Sequence, residues 1–81
     1  MIRLYRDFAG EAWTDEGSDI SDTVRAALKP IVDDAVAKGY SLRDLTNIII
    51  QEGSLYCAEE QLRRGIAWGK ANRKPLVKPE A

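Results

Sequence analysis

The chain has 81 residues, a net charge of −1, one cysteine and no histidine. A chain of this length suits one domain with a thin core, because a small domain buries only about 60% of its unfolded surface. A single cysteine excludes an intrachain disulfide, and the absence of histidine argues against a structural zinc site. Stability therefore has to come from helix packing or from self-association, and a homodimer is one candidate arrangement.

The charge balance and hydropathy also exclude some kinds of partner. A net charge near zero gives no global attraction to nucleic acid or to anionic lipid. No apolar run reaches the roughly 18–20 residues that a bilayer-spanning helix needs, so we expect no membrane contact. Residues 1–10 carry two arginines without a following apolar stretch, which is not typical of a signal peptide, and we expect a cytoplasmic location.

The N-terminal stretch predicts no single element. Within residues 1–13, Leu4, Tyr5 and Phe8 follow a helical spacing, whereas Ile2 and Leu4 suit a short strand. Both interpretations stay open. The polar residues 14–17, which end on a glycine, are typical of a loop.

A first helix is predicted by four apolar residues that step by four, three and four positions along one helix face. They are Val24, Leu28, Ile31 and Ala35. Ser18 or Ser21 can cap this helix. Pro30 interrupts it, because proline removes the hydrogen bond to the Ala26 carbonyl at a typical cost of about 3 kcal/mol. We expect a kink at this point, or two short helices in place of one.

The clearest boundary signal follows Lys38. Gly39 can adopt the positive φ at which many helices end. Ser41 then suits the N-cap of the next helix, where its hydroxyl accepts a hydrogen bond from the backbone N–H of Asp44. We therefore predict that one helix ends at Gly39 and another begins directly after Ser41.

Two further apolar stripes lie downstream. The second stripe is Leu42, Leu45, Ile48 and Ile49, and the third is Leu55, Ala58, Leu62 and Ile66. On one straight helix the third stripe would lie roughly 100° or more around the axis from the second, and would need a different partner. A break at Gly53 lets both stripes face one core, so we predict two separate helices.

These stripes predict an all-α fold, a small three- to four-helix bundle to which a short N-terminal extended segment could be added. Residues 1–72 form the predicted single helical domain. Residues 73–81 contain two prolines and few apolar side chains, and are predicted to form a flexible C-terminal tail.

No motif predicts catalysis, a cofactor or a metal site. The common nucleophilic triads need an imidazole, which the chain lacks. Cys57 is interpreted as a small buried apolar residue, since free cysteine is usually buried. Glu59–Arg63 and Glu60–Arg64 stand four residues apart, which is typical of a solvated, ion-paired helix face. We therefore expect a protein that is not an enzyme and has no catalytic residues, cofactor or metal.

Several features favour a non-catalytic protein that acts by protein–protein interaction, as an adaptor or an inhibitor of a larger partner. Charge is uneven, with a net of −6 over residues 7–34 and +3 over residues 55–81. Gly65 and Gly69, one turn apart, indicate either a fraying helix end or a flat groove for another helix. The predicted partner-binding residues are Tyr56, Arg63, Arg64, Trp68, Arg73 and Lys74.

The alternative is a nucleic-acid-binding transcriptional regulator that uses the basic C-terminal helix and tail. A helix-turn-helix would place Glu59 and Glu60 where phosphate contacts should lie, and these acids repel DNA. A ribbon-helix-helix dimer needs a strand directly before the Val24 helix, and residues 17–22 do not resemble one. We therefore expect a protein partner first and a nucleic acid second.

Overall fold

A computed structural model describes residues 10–79 and contains two α-helices. Helix α1 spans Asp15–Ala37 and helix α2 spans Leu42–Ala71. This part of the chain holds no strand, and its isolated antiparallel bridge pairs Trp13 with Val77. The predicted all-α class is confirmed, whereas the predicted three- to four-helix bundle is wrong, because two predicted helices are joined into α2.

The chain divides into two compact units. One holds residues 10–27 and 74–79 of the described chain, and the other holds residues 28–73. The structure does not test the single domain predicted over 1–72 or the flexible tail predicted over 73–81. Both stay predictions. The N-terminal extended segment was predicted mainly over residues 1–9, which lie outside the described residues.

Thr14 is the N-cap of α1. Its hydroxyl oxygen accepts a hydrogen bond from the Gly17 N–H at 3.0 Å, and its carbonyl accepts one from the Ser18 N–H at 2.9 Å. The predicted loop over 14–17 and the predicted caps Ser18 and Ser21 are therefore wrong. Thr14 offers the same kind of acceptor further upstream, ahead of two acidic residues that suit the positive end of a helix.

The C-terminal residues of the first unit pair with the start of α1. The Thr14 N–H donates to the Leu76 carbonyl at 3.1 Å, and the Lys78 N–H donates to the Ala12 carbonyl at 2.7 Å. Gly17 is buried at this contact, and a Cβ added there would overlap the Leu76 carbonyl oxygen. The absence of a side chain at Gly17 therefore allows the two segments to approach each other.

Helix α1 passes through Pro30 and continues to Ala37, so the interpretation as two short helices is wrong. Pro30 and Ala26 are both exposed. Water can therefore reach the Ala26 carbonyl, which proline leaves without its usual N–H donor. This solvation reduces the cost of a proline inside the helix.

The connection between α1 and α2 confirms the predicted boundary. Gly39 has a φ of +77°, and its N–H donates to the Val36 carbonyl at 3.1 Å. The Tyr40 N–H donates to the Ala35 carbonyl at 2.9 Å, which completes a Schellman motif and satisfies two carbonyls at the helix end. Ser41 then caps α2, and its hydroxyl accepts the backbone N–H three residues further on at 3.2 Å.

Helix α2 is continuous through Gly53, so the break predicted there is wrong. A glycine inside a helix costs only about 1 kcal/mol relative to alanine, and it keeps its backbone hydrogen bonds. The interruption lies at Gly65, whose φ of +88° and ψ of 169° are not helical. The second apolar stripe and most of the third therefore lie on one helix and face different directions.

The second unit has a small core. Within residues 10–79, Ala35 is the one buried hydrophobic residue, with 5% of its surface exposed. Four apolar residues of this unit are half-buried: Leu28, Val32, Leu45 and Ile49. They come from the last turns of α1 and the first turns of α2 at intervals of three or four, which indicates that these turns pack together. The later turns of α2 contribute no buried residue.

Candidate interaction surface at the Gly65 break

The break in α2 at Gly65 changes the direction of the chain. Its φ and ψ of +88° and 169° lie in a region that only glycine adopts without strain. The helix then resumes and is capped by Asn72, whose backbone N–H and side-chain amide both donate to the Trp68 carbonyl, at 3.0 and 2.8 Å. A short, capped helical segment therefore stands at an angle to the turns before it.

A groove of about 1000 Å³ lies at this break. We name it the Gly65 groove, and its lining includes four of the six predicted partner-binding residues: Tyr56, Arg64, Trp68 and Arg73. The other two, Arg63 and Lys74, do not line it. The structure thus brings most of the predicted set to one surface.

Arg64 and Trp68 contact each other in the Gly65 groove. The guanidinium carbon of Arg64 lies 5.0 Å from the centroid of the Trp68 ring, within the distance of a cation–π interaction. The Trp68 ring stays accessible, with 40% of the residue exposed. An exposed tryptophan beside an arginine is the composition that is enriched at the energetic centres of protein interfaces.

Glu60 binds both arginines of this region. Arg63 donates from Nε and Nη2 to the two carboxylate oxygens of Glu60, at 2.6 and 3.1 Å, and Arg64 Nη2 lies 3.7 Å from the same carboxylate. The hydrogen bond from Arg63 is the main reason that the pKa of Glu60 is lowered from its ordinary value of 4.5. The predicted pair Glu60–Arg64 is confirmed. Arg63 pairs with Glu60 and not with Glu59, because this spacing of three allows a bidentate contact.

Lys74 belongs to the other unit and pairs within the chain. Its Nζ lies 3.1 Å from Oε1 of Glu16. The pKa of Glu16 is lowered from its ordinary value of 4.5, first by a hydrogen bond with its own backbone and then by Lys74. Lys74 is therefore engaged at the start of α1.

No protein-family model, curated protein or solved structure is detectably similar to this chain. Neither of the two described helices combines the length and the apolar character that a membrane crossing requires. Among residues 10–79, no three His, Cys, Asp or Glu side chains are grouped so that they could hold a metal ion. The lining of the Gly65 groove combines aromatic, aliphatic and basic side chains with one acid, Glu60.

Two residues at this break were assigned to the core by sequence reasoning. Leu62 and Ile66 were placed on a stripe facing a common core, yet Leu62 is 83% exposed and Ile66 is almost as exposed. Cys57 was interpreted as buried and is also exposed. The errors at Leu62 and Ile66 follow from placing the break at Gly53, whereas Cys57 was assigned to the core because free cysteine is usually buried. The signal that could have found the break is the second glycine, Gly65, which directly follows a pair of arginines.

Proposed function

We propose that this chain is a non-catalytic protein that acts by protein–protein interaction, as an adaptor or an inhibitor, and that the Gly65 groove is its docking surface. The observation that carries the proposal is the contact between Arg64 and the exposed ring of Trp68 inside a groove of about 1000 Å³. A groove of this size can hold a few side chains of a partner. The non-catalytic role is supported by the absence of histidine, the usual base partner of a catalytic nucleophile.

The charge of the groove indicates the chemistry of the partner. Three basic residues, Arg64, Lys70 and Arg73, line it together with one acid, Glu60. Arg64 is only loosely held by Glu60, at 3.7 Å, so its guanidinium can bind a second carboxylate. We propose an occupant that is an acidic peptide segment with at least one aromatic or aliphatic side chain to cover Trp68.

A peptide selection tests this proposal. Random peptides displayed on phage and selected on the full-length chain should be enriched in acidic residues beside aromatic or leucine residues. The variant Arg64→Gln/Trp68→Ala should weaken binding of a selected peptide about 30-fold or more, as expected for loss of an interface hot spot. The matched control is Arg43→Gln, which removes the same charge from the first turn of α2, outside the groove.

The control should bind the selected peptide as the wild type does. If peptides without acidic residues are selected, the proposed chemistry of the partner is wrong. If the double variant binds as tightly as the wild type, the Gly65 groove is not the docking surface.

The nucleic-acid alternative gains no support from the positions of the basic residues. Arg63 is bound by Glu60 in a bidentate contact, and Lys74 is paired with Glu16. A mobility-shift titration at low salt tests this alternative, because binding through phosphates weakens steeply as salt increases. A complex at micromolar protein that disappears with salt would favour the regulator over the protein-binding role.

A further inference from the structure

Helix α2 carries a second apolar surface, which shares only its C-terminal residues Ala58 and Leu62 with the Gly65 groove. Five positions in its continuous part step by three and four residues: Ile48, Gln51, Leu55, Ala58 and Leu62. We name this set the seam. All five residues are exposed, and the three large ones are exposed by 57%, 54% and 83% in chain order.

The seam is not the face that packs against α1. The half-buried residues that pack there are Leu45 and Ile49, and at 100° per residue they lie about 120° around the axis from the middle of the seam. A continuous helix with two apolar faces needs two differently placed partners. Within the described chain, α1 covers the first face and the seam is left exposed.

A spacing of three and four over two heptads is the pattern of helices that pair along an a/d seam. Such a seam packs best against another helix that has the same heptad spacing. Gln51 lies in the middle of it, where an apolar partner would leave its amide unsatisfied. A second copy of the chain places a Gln51 opposite the first, and two facing amides can hydrogen-bond to each other.

The charges that flank the seam favour one orientation. Glu52 and Glu59 lie along one edge, and the neutral residues Asn47, Ser54 and Gln61 lie along the other. In a parallel pair each edge meets the opposite edge of the partner, so the acids meet neutral side chains. In an antiparallel pair, like edges meet and the acids would repel each other. We propose that two copies of this chain pair through the seam as a parallel, two-fold symmetric dimer.

The test is the solution mass of the full-length chain by light scattering at tens of micromolar. The wild type should have twice the mass of 9.0 kDa, and Ile48→Gln/Leu55→Gln, which changes two seam residues that do not line the Gly65 groove, should be monomeric. Ile50→Gln is the matched control, because Ile50 is 60% exposed on the same helix but lies off the seam. This control should stay dimeric.

A double variant that fails to fold would also lose the dimer, so a substitution that strengthens the seam provides a second test. Gln51→Leu should lower the dimer dissociation constant by tenfold or more, since it replaces the one polar side chain of the seam. A monomeric wild type overturns the proposal, whether another protein or another part of this chain then covers the seam. A dimer that survives Ile48→Gln/Leu55→Gln, or one that Gln51→Leu leaves unchanged, also overturns it.

Disulfide formation tests the orientation. In Cys57→Ser/Ala58→Cys, the introduced thiols lie on the seam and face each other only in a parallel pair, so a covalent dimer should form within minutes of mild oxidation. The wild type is the control, because Cys57 lies far from the seam around the axis. A dimeric Cys57→Ser/Ala58→Cys chain that stays uncross-linked overturns the parallel arrangement. The residues changed in the mass measurements, Ile48, Gln51 and Leu55, do not line the Gly65 groove, so loss of the dimer is distinguishable from loss of peptide binding.

Discussion

Thr14 and Pro75 lie 61 residues apart in the sequence and are joined by a hydrogen bond from the Thr14 hydroxyl to the Pro75 carbonyl at 3.0 Å. The same hydroxyl oxygen accepts the Gly17 N–H, so one side chain both caps α1 and binds the C-terminal segment. Backbone hydrogen bonds to Leu76 and from Lys78 flank this contact. Residues 74–78 are thus held at the start of α1 by Thr14 together with the Lys78–Ala12 hydrogen bond and the Lys74–Glu16 ion pair.

We expect Thr14→Val to loosen residues 74–78. The substitution keeps the shape of the side chain but removes the cap and the donor to Pro75, at a cost of about 1 kcal/mol for the cap alone. Amide hydrogen exchange at Lys78, whose N–H binds the Ala12 carbonyl, should accelerate about fivefold. Thr14→Ser retains the hydroxyl and should retain protection.

Thr23→Val is the control for this substitution, because the Thr23 hydroxyl donates only to a carbonyl of its own helix, that of Asp19. It should leave exchange at Lys78 unchanged. Equal exchange rates in Thr14→Val and the wild type would show that the threonine does not hold the C-terminal segment.

Two glycine-to-alanine substitutions should have opposite effects on the free energy of unfolding. Gly53→Ala meets no atom within 4 Å and should stabilise the chain by about 0.5–1 kcal/mol, since alanine is the better helix former. Gly17→Ala should destabilise it despite the same propensity gain, because the new Cβ overlaps the Leu76 carbonyl oxygen and lies 2.9 Å from the carbonyl carbon. Urea titrations of both variants measure the difference. Stabilisation by Gly17→Ala would mean that the C-terminal segment does not lie against α1.

Sequence reasoning succeeded where the signal and the structure lie within a few residues of each other. The Gly39–Ser41 boundary was predicted correctly because its hydrogen bonds all close within five residues. The break at Gly53 was predicted from a global assumption, that every apolar stripe must reach one core inside the same chain. Local energetics do not require that assumption, because one glycine costs a helix little. The N-cap at Thr14 was missed because this residue lies in a polar stretch that is typical of a loop.

The candidate site, too, could be predicted from the sequence only in part. Side-chain chemistry predicted Tyr56, Arg64 and Trp68 as partner-binding residues, which stays a prediction, and the structure places them around one groove. The positive φ that shapes the groove depends on Gly65, and glycine is compatible with both a helical and a left-handed conformation. Composition alone could therefore indicate the residues but not the surface on which they meet.

The ion pairs of Glu60 should appear in its titration. Its pKa lies below 4.5 chiefly because Arg63 donates a hydrogen bond to the carboxylate. The folded-state pKa is thus lower than the unfolded one, so this contribution to stability is complete above the unfolded pKa and is lost as the pH falls through the folded value. Carboxyl chemical shifts should show the Glu60 pKa rising towards 4.5 in Arg63→Gln. Arg43→Gln, which lies outside this network, should not change it, and a Glu60 pKa that is the same in all three chains would contradict the pairing.

Replacing Gly65 should remove the groove while the seam, which ends at Leu62, keeps its helical conformation. Alanine at a φ of +88° costs of order 1–3 kcal/mol, whereas alanine at a helical φ is favoured, so Gly65→Ala should extend a regular helix through position 65. Cα chemical shifts around position 65 should become helical, and binding of a groove-selected peptide should weaken tenfold or more. Gly53→Ala, which lies outside the groove, should retain peptide binding, and both variants should retain the solution mass of the wild type. If Gly65→Ala binds the peptide as the wild type does, the break at Gly65 does not form the docking surface.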